Sequence, residues 1–237
     1  MAQGDDLAAL IDAGLKKAEL TLESGDVLVL AQKIVSKAEG RLIHLRDVTP
    51  SAEAERLGAE TEKDPRLVQL ILDESDHVLR SRPGLIVVEH RLGFVCANAG
   101  IDHSNVAEAD DAYLLLPADP DGSARRMRDH YAARGFDLGV LIIDSHGRAW
   151  RNGTVGLTIG LAGLPGVVDL RGEEDLFGYE LRVSEVAAAD ELAAAASLMM
   201  GQADEGFPVV HVRGFPYPLR DAQLDELLRP AEKDLFR

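Results

Sequence analysis

Residues 139–163 read G-V-L-I-I-D-S-H-G-R-A-W-R-N-G-T-V-G-L-T-I-G-L-A-G, and this stretch decides the predicted fold of the chain. Two apolar pieces, Val140–Ile143 and Val155–Leu161, predict strands because β-branched and other apolar residues dominate them. A polar, glycine-containing loop is predicted between them. It carries Asp144, Ser145, His146, Arg148, Trp150, Arg151 and Asn152. In α/β enzymes such loops present carboxylates at the carboxyl edge of a strand, so this stretch predicts the active centre.

Strand and helix patterns alternate along the rest of the chain, which predicts an α/β or α+β fold. Helices are predicted where capping residues precede amphipathic segments. They run from Asp5 to about Ala18, Thr49 to about Lys63, from Asp64, from Asp119 to about Arg134, over Val183–Met200 and near Asp221–Leu228. Further strands are predicted at Val27–Ala31, Leu85–Val88, Phe94–Ala97, Tyr113–Leu116 and Val209–Val212. In the helix over Val183–Met200, the apolar Leu192, Leu198 and Met199 are predicted to be core residues.

Composition limits the class of protein and its partners. A chain of 237 residues with 46% apolar residues fits one large globular domain or two small ones. Its single cysteine, Cys96, rules out an internal disulfide and suits a reducing cytoplasm. The N-terminus has no basic region typical of a signal peptide, and no apolar run approaches the roughly 20 residues of a membrane span. A net charge of −16 argues against nucleic acid or an anionic membrane as the main partner.

Three polar clusters each adjoin an apolar strand or a helix end. They supply Asp102, Asp144 and the set Gln202, Asp204 and Glu205. The usual zinc, serine-hydrolase and Walker A motifs are absent from the sequence. Hard oxygen ligands suit Mg²⁺ or Mn²⁺, ions that commonly join carboxylates to nucleotide phosphates, and Lys37, Arg148 and Arg151 would neutralise the same phosphates. The residues therefore predict a metal-dependent enzyme that acts on a phosphorylated substrate.

Three segments keep two interpretations each. Residues 32–41, Q-K-I-V-S-K-A-E-G-R, predict either a solvated basic connection or a phosphate-contacting loop. Asp102 taken alone is as typical of a turn-forming side chain as of a ligand. At the helix that starts near Asp119, capping is the first interpretation, and an anion held by Ser123 and Arg126 is the second.

Five motifs, in order along the chain, make it similar to the coenzyme F420-0:γ-glutamyl ligase family. Together they extend over most of the chain, so their combination is far more specific than any one of them. They are V-L-A-Q-K-I-V-S-K-A-E-G-R (29–41), F-V-C-A-N-A-G-I-D-H-S-N-V (94–106), L-P-A-D-P-D-G-S-A-R-R (116–126), I-I-D-S-H-G-R-A-W-R-N-G (142–153) and M-G-Q-A-D-E-G-F-P (200–208).

The resemblance implies a fold and an activity. The fold would be a single ligase domain over residues 1–237, of one or two lobes, with a mixed sheet, flanking helices and an intertwined homodimer. The enzyme would be cytoplasmic and would join L-glutamate to coenzyme F420-0 with GTP, through an acyl phosphate, releasing GDP and phosphate. Further glutamates would follow by γ-linkage. Two Mg²⁺ or Mn²⁺ ions per site and K⁺ would assist.

The resemblance also assigns site residues. Asp102 and Asp144 match ligands of one metal, and Ser145 and Gln202 match positions near the second. Nucleotide contacts match Ser36, Lys37, Arg41, Asn105 and the loop that contains Gly201, Gln202, Ala203, Asp204, Glu205 and Gly206. Arg148 and Arg151 are proposed here from charge and position alone, as catalytic contacts to phosphate or carboxylate.

The chain departs from the family pattern at a few positions. Ser145 stands where Thr is usual, His146 where an aromatic is common, and Arg41 where Lys is frequent. Family chains begin with a short strand and a Leu-Pro segment, whereas only Met1–Gln3 precede Gly4, so guanine selectivity is expected to be the property most affected. The nitroreductase-like extension of some relatives is not expected in this chain. The alternatives are an amide ligase with another acyl acceptor and a non-catalytic GTP-binding relative.

Overall fold

The computed structural model describes residues 1–103 and 111–235. The α-helices are α1 (Leu7–Lys17), α2 (Gln32–Ala38), α3 (Ala52–Thr61), α4 (Pro65–Asp73), α5 (Pro120–Ala132) and α6 (Ala188–Met200). The strands are β1 (Val27–Ala31), β2 (Leu42–His44), β3 (Ser75–Arg82), β4 (Leu85–His90), β5 (Val95–Ala97), β6 (Ala112–Leu114), β7 (Gly139–Arg148), β8 (Arg151–Ala162), β9 (Val168–Asp169), β10 (Glu185–Val186) and β11 (Val209–Val212). Short 3₁₀ helices cover Leu45–Asp47, Asn98–Gly100, Leu224–Leu227 and Ala231–Lys233.

Local side-chain caps start four of the helices at the predicted places. Each capping side chain accepts a hydrogen bond from a backbone N–H of the first turn, which would otherwise lack a partner. The caps are Asp6, Ser51, Asp64 and Asp119, at the starts of α1, α3, α4 and α5. Pro65 and Pro120 then occupy first-turn positions, where the missing proline N–H costs nothing.

A mixed four-stranded sheet organises the molecule, in the order β11-β1-β7-β8. β1 and β7 are parallel, paired from Val27 and Gly139 to Ala31 and Ile143, whereas β11 and β8 are antiparallel to their neighbours. This confirms the predicted mixed sheet with flanking helices. Because the parallel pairing ends at Ala31 and Ile143, the chain segments that follow diverge at this edge of the sheet.

Alternating side chains of the sheet build two cores. Leu28, Leu30 and Ile142 face the layer formed by α1, α2 and α5. Val29 and Leu141 face the opposite layer, where α6 packs. This period of two is the side-chain alternation of a strand buried on both faces. The sheet is therefore the middle of three layers, which holds its carboxyl edge rigidly.

A second region packs beside this sheet. The antiparallel sheet β3-β4-β5 is covered by α3 and α4 around a separate core, and β2 pairs with β6. Phe94 packs against the residues of this core and of both cores of the main sheet. The two regions therefore meet at Phe94.

The prediction of a polar loop between β7 and β8 was wrong. Both strands continue through it and turn only at Ala149–Trp150, where Trp150 has φ of 63°. Strand pairing uses backbone groups, so polar side chains on the exposed part of a hairpin do not stop it. Asp144 and Ser145 thus lie within β7, immediately beyond the last residue paired with β1.

Three helix predictions also need correction. Residues 32–38 form α2, so the predicted loop over 32–41 was wrong, whereas its predicted phosphate contact stays a prediction. α6 starts at Ala188, because Glu185–Val186 pairs with β9 instead. In place of the helix predicted near Asp221–Leu228 a 3₁₀ helix forms at Leu224–Leu227, and Pro230 disfavours helical backbone at the residue before it.

The core prediction for α6 was wrong at two positions. Leu198 is 85% exposed and Met199 is 69% exposed, while Leu192 is partly buried. The buried face of α6 consists instead of small residues, chiefly Ala189, Ala193 and Ala196. Their size lets the helix lie close to β8, and this leaves the larger apolar side chains outside.

Candidate functional site

A cavity of about 500 Å³ opens at the carboxyl edge of the parallel pair β1 and β7. That volume lies within the range of small-molecule sites, and the edge where parallel strands end is where α/β folds bind ligands. Its walls come from the end of β1 with α2, from β7, and from the end of α6 with the following loop. The lining residues are Ala31, Gln32, Lys33, Ile34, Lys37, Ile143, Asp144, Ser145, Ser197, Met200 and 201–208.

A hydrogen-bonded chain joins two of these walls. The Ser145 hydroxyl donates to Gln202 Oε1 at 2.7 Å, and Gln202 Nε2 donates to Ser197 Oγ at 2.9 Å. These residues are far apart in sequence, yet Ser145 and Gln202 were predicted to serve the same metal. The fold therefore brings together the second and third predicted polar clusters.

Asp144 is oriented by a neighbour that the sequence analysis left without a role. His146 Nε2 lies 3.0 Å from Asp144 Oδ2, and the imidazole is 6% exposed. Its ring packs at a tilt on Phe94, with centroids 5.2 Å apart. Residues two apart in a strand lie on the same face. The spacing of Asp144 and His146 would therefore have predicted their contact if the sequence analysis had continued β7 this far.

Asp102 is held by a lysine. Lys33 Nζ lies 2.6 Å from Asp102 Oδ2, and Lys33 also lines the cavity. Asp102 forms a backbone bridge to Leu114, donating from its N–H at 3.0 Å and accepting at 2.8 Å. The cavity thus contains an ammonium group that was not among the predicted site residues, although it precedes Lys37 by one helical turn.

The predicted nucleotide contacts divide into two groups. Lys37 and residues 201–206 line the cavity, and their contact with a nucleotide stays a prediction. Ser36 is fully buried and donates to Gln32 Oε1 at 2.8 Å. Arg41 donates to Glu74 Oε2 and to the Leu116 carbonyl, both at 2.8 Å. The structure therefore does not bring Ser36 and Arg41 to the cavity, and their nucleotide role stays a prediction.

Asn105 lies outside the described residues. Arg148 and Arg151 lie at the tip of the hairpin, and Arg148 Nη1 donates to the Gly153 carbonyl at 3.3 Å. Arg148 lies four residues beyond Asp144, which is roughly 13 Å along β7. Neither arginine lines the cavity wall, so their proposed contact with phosphate stays a prediction.

The suggested anion site near α5 is already filled by a carboxylate. Ser123 Oγ donates to Glu39, and Arg126 Nη2 donates to Glu39 Oε1 at 2.7 Å. Asp119 caps the helix. The first interpretation of this segment, capping, is therefore confirmed, and Glu39 takes the place that an external anion would need.

Glu205 maintains the shape of the loop after α6. Its Oε2 accepts from the Ala203 N–H at 2.8 Å, and this backbone hydrogen bond lowers the pKa of the Glu205 carboxyl. The loop begins at Gly201 with φ of 73°, a conformation that favours glycine. The loop thus presents Gln202 toward β7, while Glu205 is turned to the loop's own backbone.

The oxygen donors around the cavity fit a divalent ion that is shared with a substrate. Within residues 1–103 and 111–235, no three His, Cys, Asp or Glu side chains come together as a complete protein-only site. Asp144, the Ser145 hydroxyl and the Gln202 carbonyl nevertheless line one cavity. Mg²⁺ is commonly held by one or two carboxylates, waters and substrate phosphates, and these donors suit that arrangement. Across the same described ranges, no helix has the length and apolarity to span a bilayer.

Residues 1–214 match the family described as F420-0:Gamma-glutamyl ligase. Relatives named coenzyme F420:L-glutamate ligase resemble nearly the whole chain. The protein of Methanothermobacter thermautotrophicus is 51% identical, covering 99% of this chain and 93% of the relative. That of Methanopyrus kandleri is 47% identical, covering 99% and 92%. That of Archaeoglobus fulgidus is 42% identical, covering 99% and 91%.

Proposed function

The chain belongs to the F420-0:gamma-glutamyl ligase family, and from this we propose that it joins L-glutamate to coenzyme F420-0 with GTP as the energy source. GDP and phosphate are the other products. The same site then adds further glutamates by γ-linkage. The observation that carries the proposal is the cavity at the carboxyl edge of β1 and β7, closed by the Ser145–Gln202 hydrogen bond.

The reaction needs an activated carboxylate, because a free carboxylate is a poor acyl donor. A carboxylate oxygen of the coenzyme attacks the γ-phosphorus of GTP, forming an acyl phosphate and releasing GDP. The amine of glutamate then attacks the acyl carbon, phosphate leaves, and the amine loses a proton. Phosphoryl transfer depends mainly on positioning and on neutralising charge, and Lys37 on the cavity wall supports both for an anionic ligand.

Two Mg²⁺ or Mn²⁺ ions, with K⁺, complete the proposed site. Asp102 and Asp144 would hold one ion, and Ser145 and Gln202 would hold the other. When bound, they would supply positive charge to the phosphates. His146 positions Asp144 for this task, since its ring fixes one carboxylate oxygen and is itself buried.

We also propose that a second copy of the chain covers the segment around β9 and β10. Leu176, Phe177 and Val183 are 98%, 94% and 85% exposed, respectively. Leu176 and Phe177 are adjacent in the chain, and exposed apolar patches are typical of interaction sites. A homodimer would bury them.

A product assay tests the proposed function. The purified chain is incubated with GTP, Mn²⁺, L-glutamate and coenzyme F420-0, and products are measured by mass spectrometry. Glutamylated coenzyme with an equal amount of GDP is expected. GDP formation with a different acyl acceptor only would favour another amide ligase. A thermal shift with GTP but no product at saturating metal would favour the non-catalytic alternative, and either result contradicts the proposal.

A further inference from the structure

Lys33, which lines the cavity, forms a close ion pair with Asp102. Nζ and Oδ2 are 2.6 Å apart, and the side chains are 27% and 28% exposed. Lys33 lies in the first turn of α2, immediately after β1, so the rigid sheet fixes the start of its side chain. The lysine end of the pair therefore lies at the cavity, and both side chains are largely shielded from solvent.

The side chains of Asp102 and Lys33 differ in conformational freedom. Asp102 is fixed by two backbone hydrogen bonds to Leu114, and its side chain is short. Lysine has a flexible four-carbon stem and a compact charge that solvates well. If a stronger cation reaches Asp102, the carboxylate stays in place and the ammonium moves.

We propose that Lys33 is a built-in counter-ion of Asp102 that competes with the divalent cation for this carboxylate. The inference rests on the proposed function, because it takes Asp102 as a metal ligand. In the metal-free protein the ammonium neutralises Asp102. In the loaded protein the ammonium turns to the anionic groups of the bound substrate, which share the cavity that Lys33 lines.

This exchange of partners by Lys33 couples metal binding to nucleotide binding. A nucleotide phosphate gives the displaced ammonium a new partner, so the nucleotide strengthens metal binding. By thermodynamic linkage the metal strengthens nucleotide binding by the same factor. Without Lys33 the competing ammonium group is gone, and that part of the coupling is lost.

The test measures Mn²⁺ binding to the full chain by isothermal titration calorimetry, without substrates. Lys33→Met is expected to bind Mn²⁺ about five-fold more tightly, as removal of a competing, partly exposed ion pair implies. Lys33→Arg, which keeps the charge, is expected to stay near the wild type. Lys37→Met removes an equal charge from the same helix and cavity. We expect its change in Mn²⁺ affinity to be less than half of the change in Lys33→Met.

A second titration includes a non-hydrolysable GTP analogue. The analogue is expected to tighten Mn²⁺ binding more in the wild type than in Lys33→Met. Lys33→Gln provides a second charge-removing variant if the Met variant does not fold. Unchanged or weaker Mn²⁺ binding in both folded variants overturns the inference.

Asp102→Asn separates this inference from the proposed metal site. If Asp102→Asn weakens Mn²⁺ binding while the Lys33 variants leave it unchanged, only the counter-ion role fails. If the wild type does not bind Mn²⁺, or if binding ignores Asp102→Asn, the metal assignment fails and the inference fails with it.

Discussion

Asp144 lies at the candidate site but makes few contacts that the fold requires. Its carboxylate lines the cavity and contacts His146, but it lies beyond the last residue of β7 that pairs with β1. Backbone pairing with β8 continues there whatever side chain is present. Loss of this side chain should therefore affect chemistry more than folding.

We predict that Asp144→Ala lowers the rate of glutamate ligation by at least about 100-fold, the scale of losing one preorganised electrostatic group. The circular dichroism spectrum and melting temperature are expected to stay close to those of the wild type. Ser145→Thr is the matched control, since it keeps the neighbouring hydroxyl and is expected to remain active. An unfolded Asp144→Ala protein would show that Asp144 is structural.

His90 makes the folded protein sensitive to mild acid. Burial, and less strongly the charge of Arg91, lowers the pKa of His90 to about 4 from 6.5. Its Nδ1 accepts from the Leu92 N–H at 3.0 Å, and the ring stacks on Phe94. The folded state therefore keeps His90 neutral down to about pH 4, whereas the unfolded chain protonates it near pH 6.5.

Between pH 6.5 and 4 the unfolded state binds more protons, so stability falls as the pH falls. We predict that His90 alone lowers the free energy of unfolding of the wild type by about 2 kcal/mol between pH 7 and pH 5. His90→Asn keeps an acceptor near Leu92 but removes the titrating group. The variant should therefore lose about 2 kcal/mol less unfolding free energy than the wild type over the same pH range. Urea unfolding at both pH values measures the difference, and equal losses would refute the assignment.

At the scale of the element, β8 carries two glycines that control helix packing. A Cβ on Gly156 would lie 2.5 Å from Ser197 Cβ on α6, and one on Gly160 would lie 2.5 Å from Pro120 on α5. Residues four apart share one face of a regular strand. The register shift opposite Ile142 and Ile143 is a bulge that changes the facing side, so the two glycines admit helices on opposite faces.

We predict that Gly156→Ala destabilises the protein by about 2 kcal/mol through overpacking and weakens GTP binding, because α6 carries Ser197 and leads to Gln202. Gly160→Ala is the control. It is expected to cost a similar amount of stability but to displace α5, leaving nucleotide affinity unchanged. Urea unfolding and calorimetric GTP titration distinguish the two. Equal nucleotide affinity in both variants would contradict the role assigned to α6.

For the whole molecule, the proposed dimer depends on the exposed apolar side chains around β9 and β10. We predict that the wild type is a dimer in solution and that Leu176→Ser with Phe177→Ser shifts it to a monomer. Replacing exposed apolar side chains removes the surface that a second copy would bury. Light scattering after size-exclusion chromatography measures the mass. Leu235→Ser is the control, since Leu235 is also 92% exposed but lies near the C-terminus.

Much of the fold follows from local sequence. β1 and β11 form over the predicted residues because short apolar runs favour strands. The helix starts at α1, α3, α4 and α5 follow from capping side chains within three residues of the N–H groups they bind. Family motifs likewise indicated three of the site residues that line one cavity, Asp144, Ser145 and Gln202.

The sequence by itself therefore determined most of the element types and the main polar clusters, since these depend on neighbours along the chain. Only the tertiary structure decided which side chains meet. Ser36 turns inward, Arg41 pairs with Glu74, and Lys33 reaches Asp102. The physical reason is that a side chain's direction depends on how its helix or strand packs. That packing is set by contacts between residues distant in sequence, such as those of the glycines in β8 with α5 and α6.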